Sequence, residues 1–265
     1  DWSSDVCSSD LIAERLGGMY SCIYGGAVLN FVENPDTVPE NVREIAPTLF
    51  FAVPRVWEKF YSAVTIAIAE AGAFQQAVYR WSLACGHAVA ERVLHRQAVP
   101  WWLKLSFHVA RLACLNNVRR MMGIQRARFL GTGAAPISPD LVRWYLALGV
   151  PMLEVWGQTE SGGASTFMPF DHIVLGSIGK ACVYNEVKVD PVTHELLIKG
   201  PNVFMGYLNQ PEKTAETIDA EGWLHTGDLG SMDARGYLKI TGRVKEMIIR
   251  GGENLFPAEI ENAIR

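Results

Sequence analysis

The 265-residue chain lacks several things, and each absence removes a class of function. No stretch of about 18 uncharged apolar residues occurs, so no membrane-crossing helix is expected. A basic excess is missing: 24 Lys+Arg stand against 28 Asp+Glu, a formal charge of −4, which argues against a dedicated nucleic-acid binder. The five cysteines (Cys7, Cys22, Cys85, Cys114, Cys182) are scattered and odd in number, with no C-x-x-C pair. That disfavours a disulfide framework and a zinc site, and suits a reducing cytosol. The start shows no basic-then-apolar leader, so the expected location is cytoplasmic. No G-x-x-x-x-G-K-[ST], no strand-linked G-x-G-x-x-G, no G-x-S-x-G and no H-E-x-x-H appears. The six histidines are isolated, which favours structural roles over ligation.

What is present is a core. Apolar residues make up 49% of the chain, which excludes disorder as its general state. Residues 1–10, rich in Ser and Asp, have neither a helical nor a strand period, and an apolar helical pattern begins abruptly at Leu11. They read as a tag or translated adapter, the alternative being a native disordered terminus. The other end opens a helix at Pro257 and stops within about two turns without a cap, so the chain reads as an internal piece of a longer protein, truncated at both ends.

Helical patterns dominate up to about residue 125. Asp36 or Thr37 is placed to cap a short helix, and 48–53 reads as a buried strand. From Pro54 a helix sets Val56, Trp57, Phe60, Tyr61, Val64 and Ile68 at helical spacing, and further helices are expected at 74–96 and 101–121. From Arg126 the texture becomes strand (126–130), helix (138–148), strand (151–156), which favours an α/β sheet with covering helices. After about Gly176 short strands and dense turns point to a β-rich subdomain, with strands at 183–190, 195–199, 237–241 and 246–250. The expected organisation is 11–175 as the α/β part, 176–244 as the β-rich part, and 245–265 as a hinge and the start of a further domain.

Between Glu91 and Asp140 there is no acid, while Arg92, Arg96, Lys104, Arg111, Arg119, Arg120, Arg126 and Arg128 are all basic. With Trp101 and Trp102 alongside, 92–128 reads either as a peripheral surface for the inner face of a membrane or another polyanion, or as a set of solvated helix faces.

Four glycine-bearing polar clusters follow expected strands. Gly131-Thr-Gly-Ala-Ala-Pro136 lets a flat ligand approach the backbone. Trp156-Gly-Gln-Thr-Glu-Ser-Gly-Gly163 combines an aromatic for stacking, a hydroxyl for phosphate and a carboxylate for a divalent metal. Gly222-Trp-Leu-His-Thr-Gly-Asp-Leu-Gly230 sets Asp228 in a glycine turn, suited to accept ribose hydroxyls, and Gly242-Arg-Val-Lys-Glu246 leads into Gly251-Gly-Glu-Asn254. Singly each is weak, since a Gly-Asp turn is usually only a turn.

In this order they resemble the adenylate-forming superfamily of acyl-CoA synthetases, luciferases and peptide-synthetase adenylation domains. Trp156-Gly-Gln-Thr-Glu160 is similar to the family's aromatic-Gly-x-Thr-Glu motif. His194-Glu-Leu-Leu-Ile-Lys-Gly-Pro-Asn-Val-Phe-Met-Gly-Tyr207 is similar to its Gly-Glu-Leu…Gly-Tyr motif, with His194 where Gly is usual. Gly222-Trp…Thr226-Gly-Asp228 and Gly242-Arg-x-Lys245…Gly252-Glu-Asn…Pro257-x-Glu-Ile-Glu261 resemble its ribose and hinge motifs, so that the resemblance runs from about Leu11 to Arg265. Pro47-Thr-Leu-Phe-Phe-Ala-Val-Pro-Arg-Val-Trp-Glu-Lys59 resembles the long-chain fatty acyl-CoA synthetases in particular.

The resemblance implies the fold of the large domain of those enzymes and an AMP-forming ligase that joins a fatty acid to CoA at the expense of ATP with Mg²⁺. By residue it implies Gly133, Ala134, Ala135 and Trp156 for adenine, Thr159 for phosphate, Glu160 for Mg²⁺, and Asp228 and Arg243 for ribose. Lys245 would sit at the hinge. Trp57 matches an acyl-tunnel gate of some long-chain relatives, the alternative being helix packing. His225 is given no role and is expected to be a core or loop histidine. The family's phosphate loop and its C-terminal lysine have no counterpart in this sequence, so the 265 residues alone are expected not to form acyl-CoA. Another adenylate-former, for aryl or amino acids, and a non-catalytic nucleotide-binding module are the competing readings.

Overall fold

A computed structural model describes residues 20–32, 34, 37–244, 248–250 and 253–255. Its contacts define two compact units: one from 30–154 and 169–176, the other containing 155–168 and 177–244. The chain changes unit within a strand, at Glu154–Val155, and again at Met168–Pro169 and Gly176–Ser177. The reason is local. After Trp156 the chain turns back into a short antiparallel strand, and the Trp156 ring belongs to the β-rich core.

The first unit is mostly helix. A short helix α1 (Ser21–Gly25) is grouped with the other unit; the elements of this one are α2 (Val38–Ile45), β1 (Leu49–Ala52), α3 (Pro54–Glu70), α4 (Ala73–Leu94), α5 (Trp101–Ala110), α6 (Asn116–Met122), β2 (Phe129–Gly133) and α7 (Pro139–Ala147). They are followed by β3 (Met152–Trp156), and a π-helical turn, Arg111–Leu115, joins α5 to α6. Strands β1 and β2 are parallel, with Leu49 opposite Phe129 and Ala52 opposite Thr132. Thr37 precedes α2 without capping it; its hydroxyl donates to the Asn34 carbonyl at 2.8 Å. Asp36 lies outside the described residues.

Helix α3 buries Trp57, Phe60 and Val64 of the expected stripe together with Pro54, while Val56 and Ile68 are half-buried and Tyr61 is exposed. Helix α4 buries Tyr79, Ser82, Gly86 and Ala90, a row of mostly small residues. A Cβ at Gly86 would collide with the Ala147 carbonyl, so glycine here lets α7 lie close against α4. Buried hydrogen bonds tie the layers together: Tyr145 O–H donates to the Trp57 carbonyl (2.9 Å) and Trp144 Nε1 to the Tyr79 hydroxyl (3.1 Å). Glu154, at the centre of β3, is desolvated, and burial pushes its carboxyl up to about 8.

The second unit is β-rich. The end of β3 pairs antiparallel with β4 (Thr166–Phe167), which pairs with β5 (Lys180–Ala181). A four-stranded antiparallel sheet follows in the order β6 (Glu186–Val189), β7 (Glu195–Lys199), β8 (Leu224–Met232), β9 (Leu238–Arg243), with α8 (Pro211–Thr217) between β7 and β8. Trp156, Leu196, Ile198, Leu224 and Leu238 form its core. The Asp190 carboxylate closes the β6–β7 connection by accepting from Val192 N, Thr193 N and Thr193 Oγ1. Strand β10 (Ile248–Arg250) pairs antiparallel with β11 (Glu253–Leu255). One expected strand starts late: 183–185 precede β6 without joining it; of the other, Glu246 lies outside the described residues.

Candidate functional site

Asp228 is not in a simple turn. It stands inside the nine-residue strand β8, which is irregular at that point. Leu197 faces His225 and Glu195 faces Leu229, so β8 carries more residues than β7 over this stretch. Gly227 takes up the excess with φ +71°, a conformation that disfavours any side chain. The bulge sets the Asp228 side chain under the neighbouring residues, 3% exposed.

The donors around that carboxylate come from separate parts of the unit. Arg243, its cross-strand partner on β9, donates from Nε to Oδ1 at 2.8 Å. Trp156, at the end of β3, donates from Nε1 to Oδ2 at 2.9 Å. Gln158 Nε2 reaches the same oxygen at 3.3 Å and the Thr226 carbonyl at 2.8 Å. A carboxylate has about four acceptor positions, so among the described residues these donors leave room for one more. The Arg243 side chain is 60% exposed.

The residues after Gln158 form a short 3₁₀ turn, Thr159–Ser161. Thr159 is exposed on it. Glu160 is braced: Tyr207 O–H donates to its Oε1 at 2.8 Å, and Phe204 N donates to its carbonyl at 2.8 Å. Burial and the adjoining Glu160 carboxylate raise the Tyr207 hydroxyl above its ordinary range, keeping it a donor. The second oxygen of Glu160 has no hydrogen-bond partner among the described residues. A single open carboxylate oxygen suits Mg²⁺, which usually binds one or two carboxylates and completes its shell with water and ligand phosphates.

A second brace stiffens the Asp228 loop. Glu195 Oε1 accepts from Gly227 N at 2.7 Å, and its Oε2 lies 3.0 Å from His225 Nδ1. Thr226 Oγ1 donates to the Leu196 carbonyl at 2.7 Å and accepts from Asp228 N at 3.1 Å. His225 is therefore neither core nor loop; it is a strand residue that holds a carboxylate in place.

The structure thus brings Trp156, Asp228 and Arg243 together, and places Glu160 and Thr159 on the turn after Gln158. Gly133, Ala134 and Ala135 belong to the other unit. There Gly133 is buried at the end of β2, and Ala134 and Ala135 are exposed, Ala134 with φ +67°. Trp57 is fully buried in that unit. Its Nε1 donates to the Ala52 carbonyl at 3.0 Å and its ring packs edge-on against Phe50 and Tyr145. Lys245 lies outside the described residues. Gln158, Tyr207, Glu195 and His225 were not singled out as site residues. Gln158 and Tyr207 stand inside the family motifs, so their positions were visible in the sequence and their hydrogen bonds were not.

Residues 11–208 match the family model described as AMP-binding enzyme. The chain is 35% identical to the long-chain-fatty-acid–CoA ligase ACSBG2 of Xenopus laevis, over 97% of this chain and 35% of that protein. It is 37% identical to the protein of the same name from Gallus gallus, over 97% of this chain and 34% of that one. It spans about a third of the length of these relatives. Among solved structures it resembles the ATP-bound RpMatB–BxBclM chimera B1, with a TM-score of 0.57 and 27% identity over 85% of this chain and 37% of that one.

Proposed function

Because the chain belongs to the AMP-binding enzyme family, we propose that it is the nucleotide-binding part of a long-chain fatty acid–CoA ligase. The reaction joins a fatty acid carboxylate to the α-phosphate of ATP, releasing pyrophosphate; the CoA thiol then attacks the acyl carbonyl and AMP leaves. The observation that carries this reading is the buried Asp228 carboxylate, held by Trp156, Gln158 and Arg243 with one acceptor position to spare. A ribose hydroxyl fits that position, and the exposed Arg243 side chain can donate to another oxygen of the nucleotide. The Trp156 ring, fixed through its Nε1, and the Gly133–Ala134–Ala135 backbone are assigned to adenine, and the Thr159 hydroxyl to phosphate.

Two anions must meet in the first step, so the site has to offset charge where it develops. Glu160, oriented by Tyr207, would hold Mg²⁺, whose bound charge neutralises phosphate oxygens. Residues 245–265 are assigned to a hinge around Lys245 and the start of a small domain that turns between the two steps, so that one site serves both. The parts 11–175 and 176–244 are read as the large domain and its β-rich subdomain. Trp57 is assigned to the acyl side. Its enclosed ring would have to rotate out of a packed core to gate a tunnel.

The substrate class rests on the segment from Pro47 to Lys59 and on the named relatives. It is tested by ATP–pyrophosphate exchange with the full-length protein that contains this chain. Palmitate is expected to drive exchange and benzoate and free amino acids are not; exchange driven by benzoate alone would move the protein to the aryl-acid ligases. The 265 residues by themselves are expected to give no palmitate-dependent exchange.

A further inference from the structure

Helix α8 buries none of its residues, so core packing does not account for its place in the β-rich unit. What it does hold is Tyr207. Thr214 Oγ1 accepts from Tyr207 N at 2.9 Å and donates to the Gln210 carbonyl at 2.9 Å. That donation uses the hydroxyl's one proton and leaves a lone pair for the tyrosine amide. Lys213 Nζ lies over the Tyr207 ring, 4.5 Å from its centroid. Gly206, with φ +143°, sits against the same threonine: a Cβ there would come within 2.6 Å of Thr214 Cγ2. Helix and tyrosine are thus closely fitted at the backbone and at the ring.

The held tyrosine acts on Glu160. Its hydroxyl donates to Glu160 Oε1 at 2.8 Å, while Phe204, edge-on to the Tyr207 ring at 4.8 Å, donates its N–H to the Glu160 carbonyl. Asn202 Nδ2 ties down the next residue, donating to the Ser161 carbonyl at 2.9 Å. Backbone and Oε1 of Glu160 are therefore both fixed, and Oε2 is the oxygen left open among the described residues. A cation that spans both oxygens must displace the phenolic proton from Oε1. A cation on Oε2 alone leaves it in place. Mg²⁺ suits the second arrangement, with few carboxylate contacts in a strict octahedron. Ca²⁺ is larger, gathers about six to eight oxygens and often takes a carboxylate through both.

Taking Glu160 as the Mg²⁺ carboxylate of the ligase reading, we infer that Thr214 and Lys213 are positioning residues: through Tyr207 they hold Glu160 to one-oxygen coordination and so set a preference for Mg²⁺ over Ca²⁺. Thr214 acts on the tyrosine backbone and Lys213 on its ring. A loose tyrosine could swing aside for the larger ion at little cost. One gripped at both places makes that ion give up a hydrogen bond to a charged group, which is among the stronger kinds.

The test is calorimetric titration of the full-length protein that contains this chain with α,β-methylene-ATP, saturated with Mg²⁺ or with Ca²⁺, so that binding is read without turnover. Wild type is expected to bind the Mg²⁺ form more tightly. The ratio of the two affinities is expected to fall about tenfold in Tyr207→Phe and about fivefold in Thr214→Val, and to be kept in Thr214→Ser, which restores the hydroxyl. Lys213→Met is expected to lower it about twofold, the scale of an exposed cation–π contact. In a Glu160→Gln background Thr214→Val should change the ratio no further, because its effect passes through that carboxylate. Equal affinity for the two forms in wild type, an unchanged ratio in Tyr207→Phe or Thr214→Val, or a shift that persists without the Glu160 carboxylate overturns the inference. If circular dichroism shows Thr214→Val unfolded, Tyr207→Phe and the exposed Lys213→Met decide, and an unchanged ratio in both overturns it. Nucleotide binding with unaltered ratios would remove this inference alone; failure of wild type to bind either form would remove the nucleotide reading as well.

Discussion

Each of the two units is ordered internally by different physics. In the helical unit, Trp57, Phe60, Val64 and Tyr145 are fixed by enclosure, and the close approach of α4 and α7 depends on having no side chain at Gly86. In the β-rich unit the functional geometry depends on directed bonds: one carboxylate, Asp228, gathers donors from Trp156, Gln158 and Arg243, and another, Glu195, gathers Gly227 and His225. An enclosed side chain is sensitive to volume, a bonded carboxylate to the identity of single atoms. Substitutions should therefore sort by unit, with volume changes costing stability in the first and isosteric changes costing binding in the second.

The largest effect is expected from Trp57→Ala. Removing a fully buried indole should lower unfolding stability by about 3–5 kcal/mol in a denaturant titration. A loss below about 1 kcal/mol would mean that the ring is not part of the core, and would favour the gate assignment. Next comes Glu154. Its folded carboxyl titrates at about 8, above the ordinary glutamate range, so the folded state holds the proton longer than the unfolded state. The sign follows: its contribution is fully present below the unfolded value and is lost as pH rises toward about 8, at about 1.4 kcal/mol per pH unit. Glu154→Gln should flatten that part of the stability profile and leave the variant the more stable at pH about 8; parallel profiles would contradict it. A smaller effect is expected from Tyr207→Phe. It should cost about 0.5–1.5 kcal/mol of stability at most, and raise the Mg²⁺ concentration needed for half-maximal exchange in the full-length protein, because Glu160 loses its brace. An unchanged Mg²⁺ dependence would show that the brace does not matter.

The same contrast governs what could be read from the sequence. The α3 stripe was legible because helical spacing of Val56, Trp57, Phe60 and Val64 is a property of neighbours, and the long helices begin and end within a few residues of where periodicity put them. The π turn at Arg111 was not, since its residues keep a helical pattern. Trp156, Glu160, Asp228 and Arg243 were legible as motif positions. The bulge that seats Asp228 was hidden because it depends on the register of β7 against β8, fixed by residues about thirty positions apart. The pairing of His225 with Glu195 was hidden for the same reason, and the change of unit inside β3 leaves no mark in composition.

The central claim is that the spare acceptor position on Asp228 takes a ribose hydroxyl, and it is tested most directly by calorimetric titration with AMP and with 2′,3′-dideoxy-AMP. Wild-type protein is expected to bind AMP about 10–100-fold more tightly than the dideoxy analogue, the range for hydrogen bonds to a charged group, and Asp228→Asn is expected to erase that preference. Equal affinity for the two nucleotides in the wild type, or a preference that survives in Asp228→Asn, would contradict the account.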